Sequence, residues 1–256
     1  MFCVIFNIKN ISFSMKIFGF NMKTEKFFVH VTCNILLGLT ILLVFALSVF
    51  SPIATQAYMA SNGAIYKGNT QSNNVSLMIN VYWGTECLDE MLNTLKDNDV
   101  HTTFFVGGCW VAKNNDMLKK IYEGGHEIGS HGYFHKDHVK LSATQNRDEI
   151  YMTGELVKSI IGVEMNLFAP PSGSVNEKVV NVATQMGYQT IMWSKDTIDW
   201  RDKDEEVIFK RATSNISSGD LVLMHPTECT ARALDRIIKE IKSKGLNITP
   251  VSNTIS

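Results

Sequence analysis

The chain has 256 residues, 45% of them hydrophobic, and a formal net charge of −1 at pH 7. That is enough for one sizeable core and not obviously two, and the absence of a long basic run past the N-terminus argues against a nucleic-acid partner. Of the five cysteines, Cys3 and Cys33 are N-terminal and Cys87, Cys109 and Cys229 lie further on; with no C-x-x-C pair they speak against a disulfide framework and a cysteine-based zinc site, and for buried free thiols over a single bridge.

Residues 35–50, ILLGLTILLVFALSVF, form an uncharged apolar run. Lys9, Lys16, Lys23 and Lys26 precede it, and the next charged residue is Lys67. This asymmetry keeps the N-terminus in the cytoplasm and sends the remainder across the membrane. The run is longer than a usual signal-peptide core and shorter than the ~20 residues of a spanning helix. Thr55-Gln56-Ala57 offers an imperfect cleavage site. Residues 1–57 are therefore expected to be a cytoplasmic leader with a signal peptide or signal anchor, starting at Met1 or Met22. Residues 58–74, rich in Ser, Asn and Gly, read as a linker, and 75–256 as one globular domain.

From Val75 onward strands and helices alternate. VSLMINVYW reads as a buried strand, and CLDEMLNTLKDND as a helix with Leu88, Met91, Leu92 and Leu95 on one face. HTTFFVGG is a strand, NDMLKKIYEGG a helix stopped by paired glycines, and HEIGSHG a strand running into a loop. Ala143–Ile161 is helical with Ser142 as N-cap. LFAPPSG, YQTIMWS, DLVLMHP and NITPVS are further strands, separated by the helices EKVVNVATQMG, EEVIFKRATSNIS and ARALDRIIKEIKSKG. The alternation predicts an α/β fold: a distorted or partial (β/α) barrel of about seven parallel strands in a single domain. In such a fold the residues just after the strands gather at one rim, and Asn80, His131, Ser172, Asp196, Asp199 and His225 all fall there.

Two imidazoles four apart in SHGYFHKDH, His131 and His135, can face one point and hold zinc, although such a pair is as often structural; His138, beside Lys136 and Asp137, reads as solvated. LVLMHP ends a strand on His225. KDTIDW supplies Asp196 and Asp199, either of which can orient that imidazole or simply cap a loop.

In this order, these segments resemble the NodB-homology polysaccharide deacetylases, metal-dependent hydrolases that remove acetyl groups from chitin, peptidoglycan and related glycans by cleaving carbon–nitrogen or ester bonds. Ser130-His131-Gly132-Tyr133-Phe134-His135 is similar to the family's metal-binding motif. Phe168 to Gly173 lies over an Arg-x-Pro-x-Gly motif, Asp196 to Trp200 resembles the fourth motif, and Leu221 to His225 the fifth. Thr103-Phe104-Phe105-Val106 matches a strand between the first two motifs. The resemblance implies His131, His135 and Asn80 as metal ligands, zinc foremost, and His225 as general acid oriented by Asp199. It also implies Trp200, Pro171 and Tyr133 as substrate contacts, and cell-wall polysaccharide as partner, with the membrane engaged through an uncleaved N-terminus.

The family's first motif, Thr-Phe-Asp-Asp-Gly, is not kept. One alignment puts Asn80 on the catalytic base and Val81 on the metal-binding Asp; another, matching Gly84, puts Tyr82 and Trp83 there. Neither supplies a carboxylate. The third-motif Arg is Ala169, and an Arg facing a neutral amide would be an unpaired buried charge, so the two losses are coherent. The sequence thus fits a divergent branch that is either a weak deacetylase or a catalytically inactive pseudoenzyme that binds or scaffolds wall glycan.

Overall fold

The computed structural model describes residues 30–43, 58–59 and 63–256. Chain contacts divide the protein into Met1–Ala54 and Thr55–Ser256. In the first unit residues 30–43 are helical. No helix among the described residues is long and apolar enough to cross a membrane. The end of the apolar run, the cleavage site and both candidate start methionines lie outside the described residues.

The second unit is built around strand β3 (Asn74–Val81), buried at every residue after Asn74. A strand apolar on both faces belongs inside a parallel sheet covered on both sides. After the short β1 (Tyr58–Met59) and β2 (Ile65–Lys67) come β4 (Thr103–Val106), β5 (Glu127–Ser130), β6 (Leu167–Phe168), β7 (Gln189–Thr190), β8 (Lys195–Asp196), β9 (Leu221–Met224) and β10 (Asn247–Ile248). The sheet runs β7-β6-β5-β4-β3-β9-β8, every pairing parallel, with β10 beside the start of β3. This is the expected partial barrel of seven parallel strands, curled and open between its edges, with β10 an eighth strand off the main path.

Helices α1 (Leu88–Asp97), α2 (Gly108–Val111), α3 (Asn115–Glu123), α4 (Ala143–Ile161), α5 (Glu177–Gln185), α6 (Glu205–Thr213), α7 (Glu228–Ser243) and α8 (Val251–Ile255) fill the connections. Leu88, Met91, Leu92 and Leu95 are all buried on α1, as their spacing requires. The α4 cap is a full capping box: the Ser142 side chain accepts from the Gln145 amide while the Gln145 side chain accepts from the Ser142 amide.

Two readings change. Residues 58–74 are more than a linker. β1 and β2 pair antiparallel, and β2 bridges Ile191 on one side and Asp220 on the other, so it stitches the open seam of the barrel. The Lys67 ammonium lies 3.1 Å from the Asp220 carboxylate at that seam. The stretch NITPVS is strand only at Asn247–Ile248. From Pro250 it turns into α8, because the Thr254 hydroxyl finds a buried partner in Ser76, 2.7 Å away.

Candidate active-site cleft

A strand points alternate side chains to opposite faces, and that period decides what reaches the barrel interior. On β3, Leu77, Ile79 and Val81 join the outer core beneath the helices, while Met78 packs inward with Phe105, Leu167, Ala169 and Leu221. Continuing the inner row delivers Asn80 from β3, His131 just past β5 and His225 just past β9 to the C-terminal mouth of the sheet. They line one cavity of about 370 Å³, together with His135, Ser172, Asp196 and three indoles, Trp83, Trp193 and Trp200. Val81, by contrast, packs in the outer core and does not line the cavity.

His131 is 2% exposed, and its Nδ1 donates to the Ala169 carbonyl at 2.7 Å. That bond fixes the tautomer and leaves Nε2 with a free lone pair. Burial, reinforced by the neighbouring His135, pushes its pKa down to about 3, so the ring is neutral at any physiological pH. His135 lies edge-on with ring centroids 5.1 Å apart, and burial lowers its pKa as well. It sits in the left-handed region, φ 54°, which costs a β-carbon residue strain and is kept only where surroundings demand it. The Tyr82 ring packs 4.5 Å from it. Asn80 is 3% exposed, and its Oδ1 has no hydrogen-bond partner. The metal-side groups are thus two neutral imidazoles and one orphaned amide oxygen. Among the described residues no three His, Cys, Asp or Glu side chains converge on a common point.

The other arm is complete. His225 Nδ1 donates to Asp199 Oδ1 at 2.7 Å, and Asp199 Oδ2 accepts from the His225 amide and the Thr230 hydroxyl, both at 2.6 Å. With Nδ1 engaged, Nε2 is the free ring nitrogen. Asp199 is therefore the orienting carboxylate, while Asp196 caps the turn by accepting from the Ile198 amide.

The remaining candidate residues divide between the cleft and the packing around it. Trp200, 56% exposed, does line the cleft. Pro171 is buried and packs toward Gly132, leaving Ser172 as the lining residue of that turn. Tyr133 is half-buried against Phe134 and Gly108 and does not line the cavity. His138 is fully buried, contrary to the solvated reading: Nδ1 donates to Asn146 Oδ1 at 2.6 Å and the ring packs 5.0 Å from Phe168. Asp137 and Glu86 stay out of the cleft, bonded to Ser174 and to the Thr85 amide.

Two contacts had no local signal. Glu149 on α4, 2% exposed, accepts from the Tyr133 and Phe134 amides at 2.8 and 2.7 Å and so clamps the loop between the two histidines. Trp83 stacks on the His225 ring, centroids 5.5 Å apart and planes 17° from parallel.

A family model for polysaccharide deacetylase matches residues 67–191. The uncharacterized protein YlxY of Bacillus subtilis (strain 168) is 42% identical over 188 residues, covering 73% of this chain and 59% of its own length, so the chain spans less than two thirds of that relative. The peptidoglycan-N-acetylmuramic acid deacetylase PdaA of the same organism is 30% identical over 195 residues, 74% of each chain. Among solved structures, wild-type BA3943 of Bacillus anthracis, described as a CE4 family pseudoenzyme, superposes with a TM-score of 0.74 at 37% identity, covering 77% of this chain and 70% of that one. A mutant of that protein, described as having restored enzymatic activity, superposes equally well, TM-score 0.74 at 36% identity over 77% of this chain and 72% of that one.

Proposed function

This chain belongs to the polysaccharide deacetylase family, and from that premise we propose that it engages N-acetylated cell-wall glycan, outside the cytoplasm, in a deacetylase cleft that has lost its general base. The observation that carries this reading is Asn80: the inner-face position at the mouth of β3 holds a carboxamide, which takes up no proton near neutral pH. The hydrolytic step is therefore deprived of a factor of roughly 10²–10⁴ from the base alone. Glycan binding needs no such group, and wall-directed relatives such as PdaA fit a substrate of that kind. The apolar, lysine-flanked N-terminus supports export, as a cleaved signal peptide or an anchor.

The donors present suit a divalent metal in kind, though not in charge. His131 Nε2, a ring nitrogen of His135 and Asn80 Oδ1 are all neutral, and Asn80 Oδ1 is buried without a partner, as a ligand atom would be. Zinc held there supplies Lewis-acid polarisation of the acetyl carbonyl. The residues themselves do the rest: the Ala169 carbonyl aims His131, and Asp199 holds His225 so that Nε2 can pass a proton to the departing amine nitrogen.

A second reading, slow but genuine deacetylation, is favoured by that intact His225–Asp199 arm. Acetate release and zinc content of the purified full-length chain, with chitin oligomers and peptidoglycan as substrates and His131→Ala as control, separate the two. Glycan binding without acetate release supports the first reading; release that vanishes in His131→Ala replaces it with the second.

A further inference from the structure

The cleft lies beyond the C-terminal ends of the strands. At the opposite end of the sheet, where β4 and β5 begin, a cavity of about 440 Å³ sits between the last turns of α1 and α3. It shares no residue with the cleft. Leu92 and Val100 give it a buried apolar lining, and His126, 5% exposed, stands in its wall. That volume suits a small ligand.

His126 is held there as a donor. Its Nδ1 accepts from the Thr102 amide at 3.3 Å, so the proton of the neutral ring sits on Nε2. Burial, then the nearby His101, holds its pKa down to about 4, which keeps the ring neutral near pH 7. A Cβ placed on Gly124, which also lines the cavity, would lie 3.3 Å from Nε2, so that edge of the ring faces inward. Among the described residues no acceptor meets this N–H. A buried donor without an acceptor is unfavourable, and a ligand that brings one relieves it. The same tautomer withholds the Nε2 lone pair, so the His101–His126 pair, ring centroids 5.9 Å apart, is not poised to hold a metal.

The rim carries both signs of charge. Lys120 is taken by Asp89, 2.6 Å away, but Lys96, Asp99 and Glu123 have no ion-pair partner among the described residues and do not pair with one another. A simple anion would meet two carboxylates as well as Lys96, and a simple cation would leave the His126 N–H without an acceptor. A ligand with one group of each sign satisfies all of them. We infer that this cavity binds a small zwitterion of the amino-acid kind, free or as a short peptide. Its carboxylate accepts from His126 Nε2 and the Lys96 ammonium, and its own ammonium lies toward Asp99 and Glu123. The inference goes beyond the glycan reading and does not depend on it.

The test is calorimetric titration of the purified full-length chain with alanine and alanyl-alanine, and with N-acetylalanine and alaninamide as analogues carrying one charge each. Saturable binding of at least one zwitterion is expected, and which one binds tells the free amino acid from the peptide. Each single-charge analogue should bind about tenfold more weakly. His126→Phe keeps a ring in the wall without the donor and should weaken the zwitterion about tenfold. Lys96→Ala and Glu123→Gln, at exposed positions, should each weaken it roughly three- to tenfold, with thermal melting reporting that the fold is kept. No saturable binding of either zwitterion, equal binding of the analogues, or binding unchanged in all three variants overturns the inference. Competition by chitin oligomers would move the zwitterion into the glycan cleft and overturn the separate site as well.

Discussion

Asn80 ends the inward-facing row of β3, and Ala169 ends the corresponding row of β6, so the pair faces one interior. A carboxylate at 80 with a guanidinium at 169 would be a buried pair; either alone would be an uncompensated charge. Asn80→Asp combined with Ala169→Arg is therefore expected to raise acetate release by roughly 10²-fold or more, measured on chitin oligomers with zinc present, and to exceed Asn80→Asp alone. Val81→Asp should act in the opposite direction. Val81 is fully buried in the outer core, so the variant is expected to lose about 3–5 kcal/mol in urea unfolding.

The buried histidines also set an acid limit. His126 Nδ1 accepts the Thr102 amide at 3.3 Å, and burial, then the nearby His101, holds its pKa down to about 4. In the unfolded chain a histidine titrates near 6.5. Below about 6.5 the unfolded state therefore takes up a proton that the folded state refuses, and stability falls as the pH drops from there toward 4. His131, pushed down to about 3, acts in the same sense. The melting temperature is expected to decline between pH 7 and pH 4.5, and less steeply in His126→Gln. An equal slope in both proteins would remove His126 from this account. Of the site, the residues legible in the sequence are those set by short local patterns: His131 and His135 by their spacing, Asp199 and His225 by their strand-end positions. Trp83 was legible only as an alternative occupant of the first-motif position, and its stacking on His225 was not legible. Its partner His225 lies on β9, and only the pairing of β3 with β9 brings the two rings together.

At the scale of elements, α4 supports the histidine loop as well as the core. Glu149 binds two loop amides, and Lys136 approaches its other oxygen at 3.4 Å. Removing the carboxylate leaves two inward-facing N–H groups without acceptors, so Glu149→Ala is expected to cost about 2–3 kcal/mol, with Glu149→Gln milder because an amide oxygen can still accept. Chemical denaturation measures the cost. A fall in zinc affinity exceeding the loss of fold would show that the clamp aims His135 and does more than hold the loop. The elements with strong periodicity or explicit caps, such as α1 and α4, were readable because one face or one cap decides them. α2 and α8 were not. Gly108–Val111 is too short to show a period, and the β-branched residues of Val251–Ile255 suggest a strand until Thr254 finds Ser76.

At the scale of the whole molecule, the sheet is pinned at its centre and stitched at its seam. β3 has partners on both sides and β10 at its foot, whereas β7 and β8 are edge strands of two residues each. The parallel alternation made this order predictable in outline. The seam was not, because a Ser-, Asn- and Gly-rich stretch carries no periodic signal. Ala64 is fully buried and Ile65 nearly so, and the Lys67 ion pair lies at the join. A chain starting at residue 75 is therefore expected to be about 2 kcal/mol less stable to urea than one starting at 58, with an unchanged acid arm. Equal stability would mean that the seam contributes nothing.

The bonds at that seam also fix when the domain can be finished. The Gly68 amide donates to Gly219 and the Asn69 amide to Thr254, so the first residues of the fold are fastened to nearly the last. A side chain at Gly68 would place its Cβ against the Thr254 carbonyl, so the join admits only glycine without displacement. A chain emerging N-terminus first, from a ribosome or through a membrane pore, must therefore hold an unclosed sheet until Gly219 and Thr254 arrive. β3 waits for β9, and the His131 half of the cleft waits for the His225 half. During that interval the long apolar edge of β3 is open to other strands, which makes the arrival of β9 a kinetic safeguard against aggregation.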